Sequence, residues 1–139
     1  PNIIGLKESG GDLRDLQLHL QRTPPEFSII TGAATIAGPA AMSGACAAIL
    51  AMANVVPELC VDVFAAGRDG EAAEMRDLQA RLSFLTRSIQ GGYGIAGMKA
   101  AVELLGGTGG EPRAPLVPVD DNGRKAIHAA LREAGFELP

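Results

Sequence analysis

Three short apolar segments, at residues 3–7, 27–31 and 47–51, alternate with segments of helical periodicity in this 139-residue chain. The third segment is apolar at every position. A strand without polar residues is typical of a parallel sheet that helices cover on both faces. Strand–helix–strand units with right-handed crossovers build such sheets. The order of elements therefore predicts an α/β fold around a parallel sheet.

Capping residues and Gly or Pro signals bound the predicted helices. Asp12 is placed to cap the first helix, and Asp120 or Asp121 to cap the last. Pro57 fits the first turn of a helix, and Pro39 either bends its own helix or delays its start. We predict helices at residues 12–21, 34–42, 57–66, 71–88, 96–105 and 120–134, with a Gly-rich loop at 91–94.

The composition excludes several classes of partner. The net charge is −4, and 47% of the residues are hydrophobic, which describes a globular chain without the basic patch that nucleic acid requires. No apolar run reaches the roughly 18 residues that span a membrane. We therefore expect neither nucleic acid nor membrane as a partner.

The cysteines and histidines do not form a metal-binding pattern. Cys46 and Cys60 lack CxxC spacing and have apolar neighbours, which predicts buried, reduced thiols and a cytoplasmic location. His19 and His128 lie on predicted helices among polar residues, with no ligand at metal-binding spacing. We predict no metal site. Tyr93, in the Gly-rich loop, is predicted to be structural.

Lys7 is the one charged residue of the first apolar segment, and Gly10-Gly11 ends that segment shortly after it. Burial at the end of a strand disfavours the ammonium form of a lysine. A neutral amine is a nucleophile that condenses with a ketone to form a Schiff base. The alternative is a lysine that extends its stem to solvent.

Residues 4–12 (IGLKESGGD) resemble the Schiff-base lysine segment of the dihydrodipicolinate synthase/N-acetylneuraminate lyase family. Three further blocks match in the right order: Thr31-Gly32, the stretch from 44 to 55, and Arg113-Ala114-Pro115-Leu116. Within that family, residues 7–12, 94–99 and 109–116 look most similar to the 4-hydroxy-2-oxoglutarate aldolase branch.

The resemblance implies the C-terminal part of a (β/α)₈ TIM barrel, holding strands six to eight, with a C-terminal helical extension. Residues 1–56 would hold the three strands with their helices, and residues 57–139 the last barrel helix and the extension. The chain starts without Met inside a predicted strand, so we expect it to be part of a longer protein. The resemblance also implies a homo-oligomer, a tetramer in the family.

Active sites of such barrels lie at the C-terminal ends of the strands. The resemblance makes Lys7 the catalytic Schiff-base residue and Ser9, Gly32 and Ile49 the candidates for binding substrate. The alternatives are that Ser9 is a turn residue, that Gly32 only terminates its strand, and that Ile49 is a core residue. Strand alternation turns Glu8 to the face opposite Lys7. No organic cofactor or metal is implied.

The implied activity is that of a class I lyase that cleaves or forms a C–C bond of a small 2-oxo acid, pyruvate or a hydroxy-oxo acid. Synthases of the family often carry Asp-Asp where this chain has Ala33-Ala34, which favours a 4-hydroxy-2-oxoglutarate aldolase. Dihydrodipicolinate synthase is one alternative. A sugar-acid dehydratase or neuraminate lyase specificity is also open. A catalytically incomplete half-barrel fragment is a further alternative, since three strands leave two open sheet edges.

Overall fold

The computed structural model describes residues 2–139. The chain divides into two compact units, residues 1–83 and 84–139. The predicted strands lie in the first unit, and the second contains helices and an irregular segment. No helix within residues 2–139 combines the length and apolar character needed to cross a membrane.

A three-stranded parallel sheet, in the order β1-β2-β3, is the centre of the first unit. The strands are β1 (Gly5–Glu8), β2 (Ser28–Thr31) and β3 (Ala47–Ala48). Lys7 pairs with Ile30, and Glu8 pairs with Thr31. The α/β prediction is confirmed, although each strand is shorter than the apolar segment that predicted it.

Helices connect and follow the strands of this unit. Single 3₁₀ turns at Ala34–Ile36 and Ala51–Asn54 come directly after β2 and β3. Pro39 lies in the first turn of the helix that follows the first 3₁₀ turn, so it delays the helix start, and Pro57 opens a later helix as predicted. The helices are α1 (Leu13–Arg22), α2 (Ala37–Met42), α3 (Pro57–Arg68) and α4 (Ala72–Leu85).

The sheet has one covered face and one open face. Leu16 of α1 and Ala40 of α2 pack with Ile29 of β2 in a buried cluster. On the open face Ile49, just after β3, is 53% exposed. The prediction of cover on both faces is therefore wrong for this chain, because an apolar run does not reveal how many layers surround it.

The first apolar segment is also less buried than its composition suggests. Ile3 and Ile4 are each 74% exposed and precede β1, an edge strand of the sheet.

The predicted burial of Cys46 is also wrong because of its place at a sheet edge. This thiol is exposed because it borders β3 at the other sheet edge, whereas Cys60 of α3 is buried as predicted.

Two close contacts fix α2. A β-carbon on Gly67 would lie only 3.0 Å from the Gly38 carbonyl carbon, so α2 and α3 approach backbone to backbone. Gln79 of α4 is buried; its Oε1 accepts a hydrogen bond from Gly38 N (2.8 Å), and its Nε2 donates to Ala34 O (2.9 Å). The amide therefore satisfies Gly38 N, which the first turn of α2 leaves unpaired, and ties α4 to the preceding 3₁₀ turn through Ala34 O.

The second unit contains the π-helical turn Thr86–Gly91, α5 (Gly92–Leu104) and α6 (Asp121–Glu133). The predicted loop at residues 91–94 is wrong, since these residues are helical except at Gly94, whose φ of 59° and ψ of −144° only glycine adopts readily.

Asp120, one of the two residues predicted to cap the last helix, caps α6. Tyr93 packs beside Gly97 and Gly123, in keeping with a structural role.

Candidate functional site

Lys7 occupies the second-last position of β1, on the open face of the sheet. Its side chain is exposed, so the prediction of a lysine desolvated by a buried strand is not met in this chain. The physical reason is alternation: odd positions of β1 turn away from α1 and α2, and no described layer of the first unit lies over them.

Glu8, the next residue, points to the covered face as predicted and is only 8% exposed. Its Oε1 accepts a hydrogen bond from Gly10 N at 2.5 Å. Among residues 2–139 no donor reaches its Oε2. The sequence predicts the face on which Glu8 lies but does not identify Gly10 as its partner.

Gly32 brings the ends of β1 and β2 together. Its N–H donates to Glu8 O, which extends the pairing one residue beyond Thr31. A β-carbon on Gly32 would lie 2.6 Å from Lys7 Cε and 3.0 Å from Ser9 Cβ. Lys7, Ser9 and Gly32 therefore meet at the carboxyl edge of the sheet, and the absent side chain of Gly32 leaves the room in which the other two lie.

Ile49 follows β3, and its N–H donates to Thr31 O at 2.9 Å. Because β2 lies between β1 and β3, Ile49 is on the far side of β2 from Lys7. Three of the four predicted site residues are thus in direct proximity. The fourth lines the same open face one strand further away.

The loops after β1 and β2 approach each other at Gly11 and Ala33. Gly11 has a φ of 79°, and a β-carbon there would lie 3.6 Å from that of Ala33. Asp12 then caps α1 by accepting from Arg14 N at 2.9 Å. The hydrogen bonds from the Arg14 side chain and backbone lower the pKa of Asp12 from 3.8 to about 2.

An apolar groove of about 340 Å³ runs along the free edge of β3. Ala47, Ala48 and both cysteines line it, together with Phe64 of α3. Burial raises the pKa of the Cys60 thiol to about 11, so Cys60 stays protonated near neutrality. The groove is separate from the cluster around Lys7.

In the second unit, polar side chains hold the irregular segment between α5 and α6. Lys99 Nζ donates to Gly109 O at 2.6 Å, and Glu103 accepts from Gly110 N and pairs with Arg124. These contacts give Lys99 a structural role. Within residues 2–139 no three His, Cys, Asp or Glu side chains lie where they could hold a metal ion together.

Curated relatives resemble the chain over nearly its whole length. It is 31% identical over 135 residues to 4-hydroxy-tetrahydrodipicolinate synthase of Methanopyrus kandleri, covering 97% of this chain and 45% of the relative. It is 34% identical over 135 residues to the protein of that name from Bartonella bacilliformis, with 97% and 46% covered. The chain thus spans about half the length of the curated relatives it matches.

Solved structures likewise match nearly the whole of this chain with about half of their own length. Dihydrodipicolinate synthase from Thermotoga maritima superposes with a TM-score of 0.86 at 25% identity, over 96% of this chain and 46% of that one. KD(P)GA from T. tenax superposes with a TM-score of 0.83 at 25% identity, over 94% and 46%. The chain has the α/β fold of the C-terminal half of these TIM-barrel proteins. The family model for the dihydrodipicolinate synthetase family matches residues 1–134, and the chain belongs to that family.

Proposed function

We propose that this chain carries the nucleophile of a Schiff-base-forming 2-oxo acid aldolase, a class I lyase. The observation that supports this best is the cluster of Lys7, Ser9 and Gly32 on the open face, at the carboxyl edge of a parallel sheet. Barrel enzymes place their chemistry at this edge. The exposed Lys7 side chain is accessible to a small ketone from the open face.

The reaction begins when the neutral Nζ of Lys7 attacks the ketone carbon, C2. The resulting carbinolamine loses water and gives an iminium. When the C3–C4 bond breaks, its electron pair moves into the iminium and forms an enamine, while the C4 hydroxyl gives up its proton and becomes an aldehyde. Protonation at C3 and hydrolysis return pyruvate and free Lys7.

Ser9 and Gly32 have different roles in this proposal. The Ser9 hydroxyl lies beside the Lys7 stem and donates a hydrogen bond to the carboxylate of the oxo acid. Gly32 leaves the space in which the Lys7 stem and the Ser9 side chain lie beside the substrate, and Ile49 contributes an apolar wall further along the open face. No organic cofactor or metal takes part in these steps.

The favoured substrate is 4-hydroxy-2-oxoglutarate or a similar hydroxy-oxo acid. The pair Ala33-Ala34, where synthases of the family often carry Asp-Asp, supports it, as does the uncharged approach of Gly11 to Ala33. Dihydrodipicolinate synthase, which condenses pyruvate with an aspartate semialdehyde, is the second candidate, and the names of the curated relatives favour it.

The remaining assignments follow from the family. We assign residues 1–56 to barrel strands six to eight with their helices, and residues 57–139 to the last barrel helix and a helical extension. We propose a cytoplasmic homo-oligomer, a tetramer as in the family. A catalytically incomplete half barrel is the alternative, and the open sheet face and the free edge of β3 support it.

The test is borohydride reduction in the presence of pyruvate, followed by peptide mass spectrometry. It should be run on this chain and on a form joined at its N-terminus to the preceding half of the Methanopyrus kandleri relative. Lys7→Ala should abolish the reduced adduct. Lys125→Ala, which removes an exposed lysine of α6, is the matched control and should leave the adduct unchanged.

Each result separates the alternatives. An adduct on Lys7 in both forms supports a chain that builds the nucleophile's surroundings by itself. An adduct only in the longer form supports the chemistry and identifies this chain as an incomplete catalyst. No adduct in either form would refute the Schiff-base proposal. Turnover of 4-hydroxy-2-oxoglutarate, compared with turnover of pyruvate plus aspartate semialdehyde, then distinguishes the two substrates.

A further inference from the structure

The Glu8 carboxylate lies under the turn that follows β1. Glu8 is the last residue of this strand and pairs with Thr31, which is fully buried on the same covered face. The Glu8 side chain therefore lies between the sheet and its covering helices, one residue away from the amine on the opposite face.

One oxygen of this carboxylate closes the turn. Gly10 N donates to Glu8 Oε1 at 2.5 Å, so the backbone folds back over the side chain that precedes it. A β-carbon on Gly10 would lie 2.7 Å from the same oxygen. The close approach explains why glycine follows Ser9 here.

The turn that Glu8 closes carries Ser9. The Ser9 side chain and the Lys7 stem converge on the space left by Gly32. Lys7 and Ser9 are the sequence neighbours of Glu8. The hydrogen bond from Gly10 N to the Glu8 carboxylate fixes the end of the turn that follows Ser9. The position of the Ser9 hydroxyl relative to the Lys7 amine therefore depends on the Glu8 carboxylate.

The other oxygen indicates that packing alone does not explain Glu8. Oε2 is buried without a donor among the described residues, and a buried carboxylate oxygen without a partner is unfavourable. An apolar residue at this covered position would avoid that desolvation cost. Locally unfavourable residues of this kind are expected at functional sites.

We propose that Glu8 is a positioning residue for the Lys7 site: its carboxylate holds the Ser9-Gly10 turn so that the Ser9 hydroxyl meets an oxo acid bound at Lys7. This inference rests on the proposed function. Glu8 acts through the turn and does not itself reach the open face, since its side chain points into the covered one.

The test compares Glu8→Ala with Glu8→Gln, in whichever form of the protein traps pyruvate. Two quantities are measured: the borohydride trapping rate over a range of pyruvate concentrations, and hydrogen exchange of the Gly10 amide by NMR. Glu8→Ala should expose the Gly10 amide and slow trapping about tenfold, because small misplacements at a reacting centre are costly. Glu8→Gln keeps a carbonyl acceptor and should stay within about threefold of the unmodified protein.

Two further variants keep the test decisive. Gly10→Ala pushes the turn away from an intact Glu8 and should slow trapping similarly, which covers the case in which Glu8→Ala does not fold. Glu26→Ala removes an exposed carboxylate before β2 and should change neither measurement. A purely structural role would lower the melting temperature of the folded variants while leaving their trapping rate at saturating pyruvate unchanged.

The failures are distinguishable. If the unmodified protein forms no adduct, the proposed function fails, and this inference with it. If it forms the adduct and either Glu8→Ala or Gly10→Ala traps at the same rate, only the positioning role is overturned. A Glu8→Gln variant that loses trapping while the Gly10 amide stays protected would also overturn it.

Discussion

The Lys7 stem fills the space that a side chain on Gly32 would need: a β-carbon there would lie 2.6 Å from Lys7 Cε. The two residues are far apart in sequence and meet because β1 and β2 pair in parallel, with Gly32 N donating to Glu8 O. The position of the Lys7 stem on the open face therefore depends on a residue that follows another strand.

We expect Gly32→Ala to reduce pyruvate trapping at Lys7 by tenfold or more while the chain stays folded. The added methyl group would displace the Lys7 stem and the Ser9 side chain, and a shift of about 1 Å at a reacting centre can cost two orders of magnitude in rate. Borohydride trapping with mass spectrometry measures the effect, and circular dichroism monitors the fold.

Gly92→Ala is the matched control for that variant. Gly92 has helical backbone angles, and the nearest atom to a β-carbon there, apart from its chain neighbours, would be Arg87 O at 3.9 Å. Trapping by this variant should be unchanged. Equal trapping by Gly32→Ala would show that the reaction does not depend on the positions that Lys7 and Ser9 take beside Gly32.

Gln79→Leu should lower the free energy of unfolding by about 2 kcal/mol or more, because it leaves Gly38 N and Ala34 O without their buried partner. Urea denaturation measures the loss. Gln17→Leu, on the exposed side of α1, is the control and should change stability little. Similar midpoints for the two variants would argue against a role of the Gln79 amide in holding α2.

The cap of α1 should make stability depend on pH in the acid range. Hydrogen bonds from Arg14 lower the folded-state pKa of Asp12 from 3.8 to about 2, so the folded chain favours the carboxylate. This contribution is fully present above the unfolded pKa and is lost as the pH falls from about 4 to about 2.

Melting temperatures at pH 6, 4, 3 and 2.5 test this dependence. Asp12→Asn retains an oxygen that can cap the helix but does not titrate, so its melting temperature should fall less steeply over this range. Asp62→Asn, on the exposed side of α3, should leave the dependence unchanged. Identical pH profiles for Asp12→Asn and the unmodified chain would refute the contribution of Asp12.

The two thiols should react at different rates although both line the groove beside β3. Cys46 is exposed, whereas Cys60 is buried and has a pKa raised to about 11, so at pH 8 only about one Cys60 in a thousand is a thiolate. With a disulfide reagent such as Ellman's we expect one fast thiol and one at least tenfold slower.

Cys46→Ser should remove the fast phase and leave the slow one. Unfolding in urea should make both thiols equally reactive. Two fast phases in the folded chain would contradict the burial of Cys60 in α3.

Local chemistry made several helix boundaries predictable. Asp12 and Asp120 cap helices, and Pro57 opens one, because each of these signals acts within a few residues. The residues at 91–94 show the limit of such signals. A Gly-rich run is compatible with a helix: Gly91 and Gly92 keep helical backbone angles, and only Gly94 departs from them.

Burial was harder to predict than strand position. The apolar run at the start of the chain indicated β1 but not that Ile3 and Ile4 lie outside it. For the site, the motif singled out Lys7, Ser9 and Gly32, but their proximity depends on the register of β1 with β2. The hydrogen bond of Glu8 to Gly10 depends on how one turn folds, which no spacing rule describes.

The opposite orientations of Lys7 and Glu8 constrain how a chain of this kind can evolve. A one-residue insertion or deletion inside β1 would exchange the two faces, burying an amine against the helices and exposing the carboxylate that closes the turn. Substitutions around the amine can accumulate one at a time, whereas a change in strand length by a single residue abolishes the arrangement at once. New specificities are therefore expected to arise from exchanged side chains and altered loops, with the length of β1 held constant.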